Sequence, residues 1–142
     1  MKIDGTRTQD RAIELVLDYY SAFNRGDWPG MQALLADDVI HELNEGPREV
    51  GLPAFAAFQQ RMARSYREQL HDIVVMATQD GTRAAAEYVV HGDYIADDEG
   101  LPPARGQHYV LPGGAFFAIE EGRIGRISNY YNLQDWIAKV RG

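Results

Sequence analysis

From Asp10 to Arg25, apolar residues Ile13, Val16, Leu17, Tyr20 and Phe23 recur at spacings of three and four. Ala12, Leu15, Tyr19 and Ala22 widen the stripe, so the segment predicts an amphipathic helix. Thr8 or Asp10 is suited to cap its start, and Gly26 to stop it in a left-handed turn. Asp27 then caps a short second helix from Trp28 to Leu35. Val39–Leu43 reads as a short strand, and Gly46 and Pro47 interrupt the chain. Gly51 leads into a third helix with Pro53 in its first turn, where a missing N–H costs nothing. Phe55, Phe58, Met62 and Tyr66 mark the buried side of that helix.

The period then changes to two. Leu70–Ala77 and Arg83–Tyr94 read as strands joined at Asp80–Gly81, a hairpin signal. Asp97–Arg105, with Pro102 and Pro103, reads as a loop. Gln107–Ile119 is a long strand interrupted at Gly113–Gly114. Glu120–Glu121–Gly122 turns the chain into Arg123–Tyr131, and Leu133, Trp136, Ile137 and Val140 predict a tail helix capped by Asn132. Helices followed by a strand meander predict an α+β fold, one domain over residues 1–142. A strongly curved, mostly antiparallel sheet with three N-terminal helices on its concave side would leave a pocket between the layers. Gly113–Gly114 and Gly92 are the expected places for the bulges or kinks that curvature requires.

Composition narrows the partners. The chain has 142 residues, enough for one core, and its 45% hydrophobic and 25% charged content is globular rather than disordered. A formal net charge of −7 repels phosphate backbones, so no nucleic acid is expected as a partner. No basic run suggests an anionic membrane surface; Arg61, Arg64 and Arg67 read as a solvated helix face. The absence of cysteine removes disulfides, thiol nucleophiles and thiolate metal sites, and fits a reducing, cytoplasmic location. Met1–Asp10 lacks the apolar core of a secretory signal, and no apolar stretch reaches the length of a membrane span. His41, His71, His91 and His108 show no helical pair at metal spacing, so no metal is expected. No helix follows Gly113–Gly114 to make a phosphate cradle, and no dinucleotide fingerprint occurs, so no cofactor is expected either.

Three segments carry a family likeness. Tyr19–Tyr20–Ser21–Ala22–Phe23–Asn24–Arg25–Gly26–Asp27 resembles the end of the first helix of ketosteroid isomerases. Ala33–Leu34–Leu35–Ala36–Asp37–Asp38 resembles the approach to their first strand. Gly114 to Ile124 resembles a hairpin shared across the nuclear transport factor 2-like superfamily, including its SnoaL-like polyketide cyclases and limonene epoxide hydrolases. The resemblance runs from about Asp10 to Tyr131 and implies a cone-shaped, cystatin-like roll. It also implies a homodimer through the outward sheet face, where Glu87, Val89 and His91 alternate. Tyr19 falls on the tyrosine that donates to the substrate oxygen in the isomerases. Their catalytic carboxylate position is Leu43, or Glu42 if the register slips by one, and the position of their protonated aspartate is Ala115. The water-holding acid, arginine and acid of the epoxide hydrolases correspond to Tyr88, Val90 and Asn129, with His41 and Leu43 at two further water-holding positions. Neither catalytic set is complete in this chain.

Strand alternation, set in the register that the resemblance implies, outlines the site. With His41 inward, Leu43 is inward and Glu42 outward. The inward set on later strands is Tyr88, Val90 and Tyr94, then Ile127, Asn129 and Tyr131. Trp28, Phe55 and Phe117 complete an aromatic cavity for a small apolar molecule. His41 is the expected acid or base, because its ordinary pKa lies near neutrality. A structural histidine bonded to backbone is the other reading. Tyr19 is expected to donate to a developing enolate, or else to be a core tyrosine; Asn129 shares that donor role. Glu42 is the alternative base, since a carboxylate in an apolar cavity has a raised pKa. The expected function is cofactor-independent proton transfer on an apolar carbonyl or polyketide-like substrate. The alternatives are a hydrophobic ligand-binding protein without chemistry and an epoxide-hydrolase-like hydrolase.

Overall fold

The computed structural model describes residues 5–44 and 46–142. Met1–Asp4, the start of the segment expected not to be a signal, lie outside them. In chain order the elements are α1 (Gly5–Arg25), α2 (Trp28–Gln32), β1 (Leu35–Leu43), β2 (Arg48–Val50), α3 (Leu52–Ser65), β3 (Tyr66–Ala77), β4 (Arg83–Tyr94), β5 (Gln107–Glu120), β6 (Arg123–Tyr131) and α4 (Leu133–Arg141). The six strands form one sheet in the order β2-β1-β6-β5-β4-β3. All neighbours are antiparallel except β1 and β6, which run parallel. The architecture is the α+β roll expected: a curved, unclosed sheet with helices packed on it.

α1 begins earlier than its apolar stripe predicts, so Thr8 and Asp10 are interior rather than capping residues. The added turns are held by tertiary docking. Gln9 Nε2 donates to the Ala77 carbonyl at 2.8 Å, and Gly81 packs so closely on Thr8 that an added Cβ would lie 2.7 Å from the Thr8 carbonyl oxygen. The other end is a Schellman turn: Gly26, at φ +69°, donates to Phe23 O and Asp27 N–H to Ala22 O, both at 2.9 Å. Asp27 then caps α2, accepting from Gly30 N–H at 2.9 Å. α2 stops at Gln32, short of the expected Leu35: Leu34 N–H reaches back only three residues, to Met31 O, and the Leu34 carbonyl accepts from Ile124 N–H across the sheet at 3.0 Å. Leu35 therefore opens β1.

β2 has no signal in the sequence pattern, yet it pairs with β1 and sets Glu49 opposite His41. β3 starts at Tyr66 rather than Leu70, so Arg67 is a strand residue and the three arginines do not share a helix face. The sheet's irregularities also differ from expectation. They fall between His71 and Val74, where Asp72 has φ +55°, between Ala118 and Ile119, and between Leu35 and Ile40. The β4–β5 ladder runs unbroken through Gly92, Gly113 and Gly114. Two of these glycines make room for rings instead: a Cβ on Gly92 would fall 2.3 Å from the Tyr109 ring, and one on Gly113 2.8 Å from Tyr88.

The core lies between the helices and the inner sheet face, around Val16, Val39, Phe55, Phe117, Ile127 and Val140, all fully or almost fully buried. α1 covers β3 and β4, α3 covers β1, and α4 packs against β5. That leaves the middle of the inner face uncovered, and the pocket forms there. Among the described residues, no helix is long and apolar enough to cross a membrane.

Candidate functional site

The pocket encloses about 880 Å³. Tyr19, Trp28 and Phe55 line it from the helices, and His41, Leu43, Tyr88, Val90, Asn129 and Tyr131 line it from the strands, on the face expected of them. Tyr94, Phe117 and Ile127 do not; each is fully buried in the core. Tyr94 is spent on the loop before β5: its hydroxyl donates to Pro102 O at 2.6 Å and accepts from Asp98 N–H at 3.0 Å. Phe117 is covered by the edges of Tyr19 and Tyr20, at 6.0 and 5.9 Å between ring centres. Ile127 sits between Phe117 and His41 in one cross-strand row. The correct face was therefore predicted for all three, but not the packing that seals them off.

His41 projects from β1 between the rings of Phe55 and Phe58, at 5.2 and 4.5 Å, and is 2% exposed. Its Nε2 lies 3.2 Å from Asn129 Nδ2, and its Nδ1 lies 3.6 Å from Glu49 Oε1. As oriented, the Asn129 amide donates to Nε2, which leaves the proton on Nδ1, facing Glu49. At that distance Glu49 is a long contact, and Nδ1 has no closer partner among the described residues. Burial lowers the His41 pKa and nearby Arg61 lowers it further, while Glu49 pulls it up; burial dominates. The resting imidazole is therefore neutral.

Glu42 takes the opposite side of β1, as alternation requires, and cannot reach the pocket. Ser128 Oγ donates to its Oε1 at 2.6 Å, and Arg126 lies 3.8 Å away. The base role considered for Glu42 has no geometric support. Tyr19 is buried. Burial first, and Tyr88 second, push its pKa well above the usual tyrosine range, so it stays a donor.

Glu68 is a titratable pocket residue that the sequence reading missed. It lines the cavity from β3, half-buried, and accepts the Tyr109 hydroxyl at 2.5 Å. Burial raises its pKa, with the Tyr109 hydrogen bond opposing. Its charge and, above all, burial push Tyr88 up to about 12. The signal was present: Tyr66, Glu68 and Leu70 alternate, but Tyr66 also continues the apolar side of α3. Close by, the buried hydroxyl of Tyr20 has Tyr88 near it and makes no well-formed hydrogen bond among the described residues.

On the outward face, the His71 and His91 rings lie 4.2 Å apart at a tilt of 48°, His108 lies 6.2 Å beyond, and His108 Nδ1 is 2.9 Å from Asp93 Oδ1. Among the described residues, no group of three or more such side chains is arranged to hold a metal ion.

An unclosed curved sheet wrapped on helices around one aromatic pocket defines the nuclear transport factor 2-like fold class. Within it, a SnoaL-like domain model matches residues 16–127, and the chain belongs to that family. It is similar to a candidate polyketide cyclase of Xanthomonas campestris pv. campestris, with 65% identity, 94% of this chain and 98% of that one covered, and a TM-score of 0.91. A candidate polyketide cyclase of Pseudomonas putida matches at 61% identity, covering 91% and 97%, with a TM-score of 0.90. A third, from a Silicibacter species, matches at 48% identity over 98% of both chains, with a TM-score of 0.91. No curated protein matches the chain.

Proposed function

We propose that this protein catalyses cofactor-independent proton transfer on a small, largely apolar carbonyl compound of polyketide-like character. The observation that carries the reading is the His41–Asn129 pair in the wall of an aromatic pocket, its histidine buried and its asparagine half-buried. A neutral imidazole is ready to accept a proton, and desolvation keeps it neutral. Asn129 has a double role. In the resting site its N–H occupies the Nε2 lone pair. A ligand oxygen would draw that N–H away, which both polarises the carbonyl and frees Nε2 for the adjacent carbon-bound proton. Tyr19 would supply a second donor to the enolate oxygen. The similarity to candidate polyketide cyclases supports this substrate class.

The same resting contact favours a second reading, a ligand-binding protein without chemistry, in which Asn129 never releases His41. Hydrogen exchange separates the two. A panel of bicyclic ketones is incubated with the protein in heavy water, and deuterium uptake beside the carbonyl is followed by mass spectrometry. Wild type should exchange above buffer. His41→Ala should lose about a hundredfold to ten-thousandfold, and Tyr19→Phe less, since Asn129 shares its role. Wild-type rates in His41→Ala would sink the proton-transfer reading, and ligand binding without exchange would establish the second.

A further inference from the structure

Three residues on three strands share one cross-strand row of the inner face: Glu68 on β3, Gly92 on β4 and Tyr109 on β5. Because Gly92 has no side chain, the Tyr109 ring lies directly over it and carries its hydroxyl across β4 to Glu68 Oε2. Trp136 of α4 backs the ring edge-on at 5.8 Å. One carboxylate oxygen is thus fixed. The other, Oε1, makes no hydrogen bond or ion pair among the described residues, and no basic side chain contributes to the Glu68 pKa.

This is a costly way to satisfy a tyrosine. A glutamine would accept the same hydrogen bond without placing an ionisable group against an apolar cavity. The carboxyl stands on a residue that lines the pocket, in the β3–β4 ladder next to Leu70 and Val90 and close to Tyr88. His41 lies on β1, four strands away in the sheet, so the two polar groups stand at opposite sides of one aromatic floor.

We infer that Glu68 Oε1 is a hydroxyl-recognising subsite, accepting a hydrogen bond from a phenol or enol O–H on an apolar ring system whose other end lies toward His41. Tyr109 is the positioning residue that aims the carboxyl, and Gly92 makes that possible. The inference rests on reading the pocket as the ligand site. It does not depend on proton transfer at His41, because a ligand bound without reaction would use the same contact.

The test compares 2-naphthol with 2-methoxynaphthalene by equilibrium dialysis against the whole protein. The two share their rings and differ in the O–H. Wild type should prefer 2-naphthol by about tenfold or more, the range of a hydrogen bond to a charged acceptor. Glu68→Leu should abolish the preference, and His41→Ala should keep it even where hydrogen exchange is lost. Glu68→Gln, which retains a partner for Tyr109, guards against a misfolded leucine variant and should cut the preference several-fold. In labelled wild type, the Glu68 carboxyl carbon signal should move on adding 2-naphthol and not on adding its methyl ether. Equal binding of the two probes, binding of neither, or an undiminished preference in Glu68→Gln or Glu68→Leu overturns the subsite.

Discussion

Taking His41 out of water disfavours its charged form, and at the scale of single residues that has a consequence for stability. Its folded pKa is below the ordinary histidine value, so as pH falls the unfolded chain takes up the proton first. The native state thus loses stability as pH drops below about 6.5, the unfolded value, toward the lower folded one. Above that window the His41 contribution is level. Glu49 opposes the shift and Arg61 reinforces it, and neither outweighs burial. Urea midpoints between pH 7.5 and 5 should therefore fall less steeply in His41→Gln than in wild type. Parallel slopes would mean that His41 is not held neutral.

At the scale of elements, the pocket depends on how the end of α1 is fixed to β3. Asn24 does this with both halves of its side chain. Nδ2 donates to Leu70 O at 3.0 Å, and Oδ1 accepts Leu70 N–H at 2.8 Å. Gln69 Nε2 adds a bond to the Asn24 carbonyl at 2.9 Å. The clamp lies just before the β3 irregularity at His71–Val74, where the ladder to β4 is interrupted. Asn24→Ala leaves the Leu70 N–H and carbonyl without these partners, so it should cost about 1–3 kcal/mol. The denaturation midpoint measures this, with the urea slope unchanged. A loss within error of zero would show that water replaces the clamp.

At the scale of the whole molecule, the outward sheet face is the part left without a cover. Val74, Met76, Val110, Phe116 and Tyr130 are all exposed there, and Phe116 and Tyr130 pack edge to face at 5.7 Å. Contiguous exposed apolar patches on a protein surface mark interaction sites. We propose that a second copy of the chain covers it, as a two-fold dimer in which the same face meets itself. Sedimentation at micromolar concentration should give a dimer, and Phe116→Glu should give a folded monomer. A monomeric wild type removes the proposal.

What the sequence by itself determined is whatever depends on neighbours a few residues apart. The 3.6 period of α1 and α4, the stop at Gly26, the cap at Asn132 and the alternation of β4 and β6 are all local. Alternation put Glu42 on the face opposite His41, because a strand has only two faces, and the family resemblance supplied which face was inward. Tertiary structure decided whatever depends on residues far apart in the chain. β2 exists because β1 offers it an edge, and only that pairing brings Glu49 to His41. Glu68 became a pocket residue because α3 gives way to β3 at Tyr66, a boundary hidden by the apolar spacing that both elements share there. Tyr94, Phe117 and Ile127 were separated from the pocket wall by rings and loops packed over them, and no period records what lies above a residue. Gly92 is the clearest case: its missing side chain matters only because Tyr109, seventeen residues later, lies across it to reach Glu68.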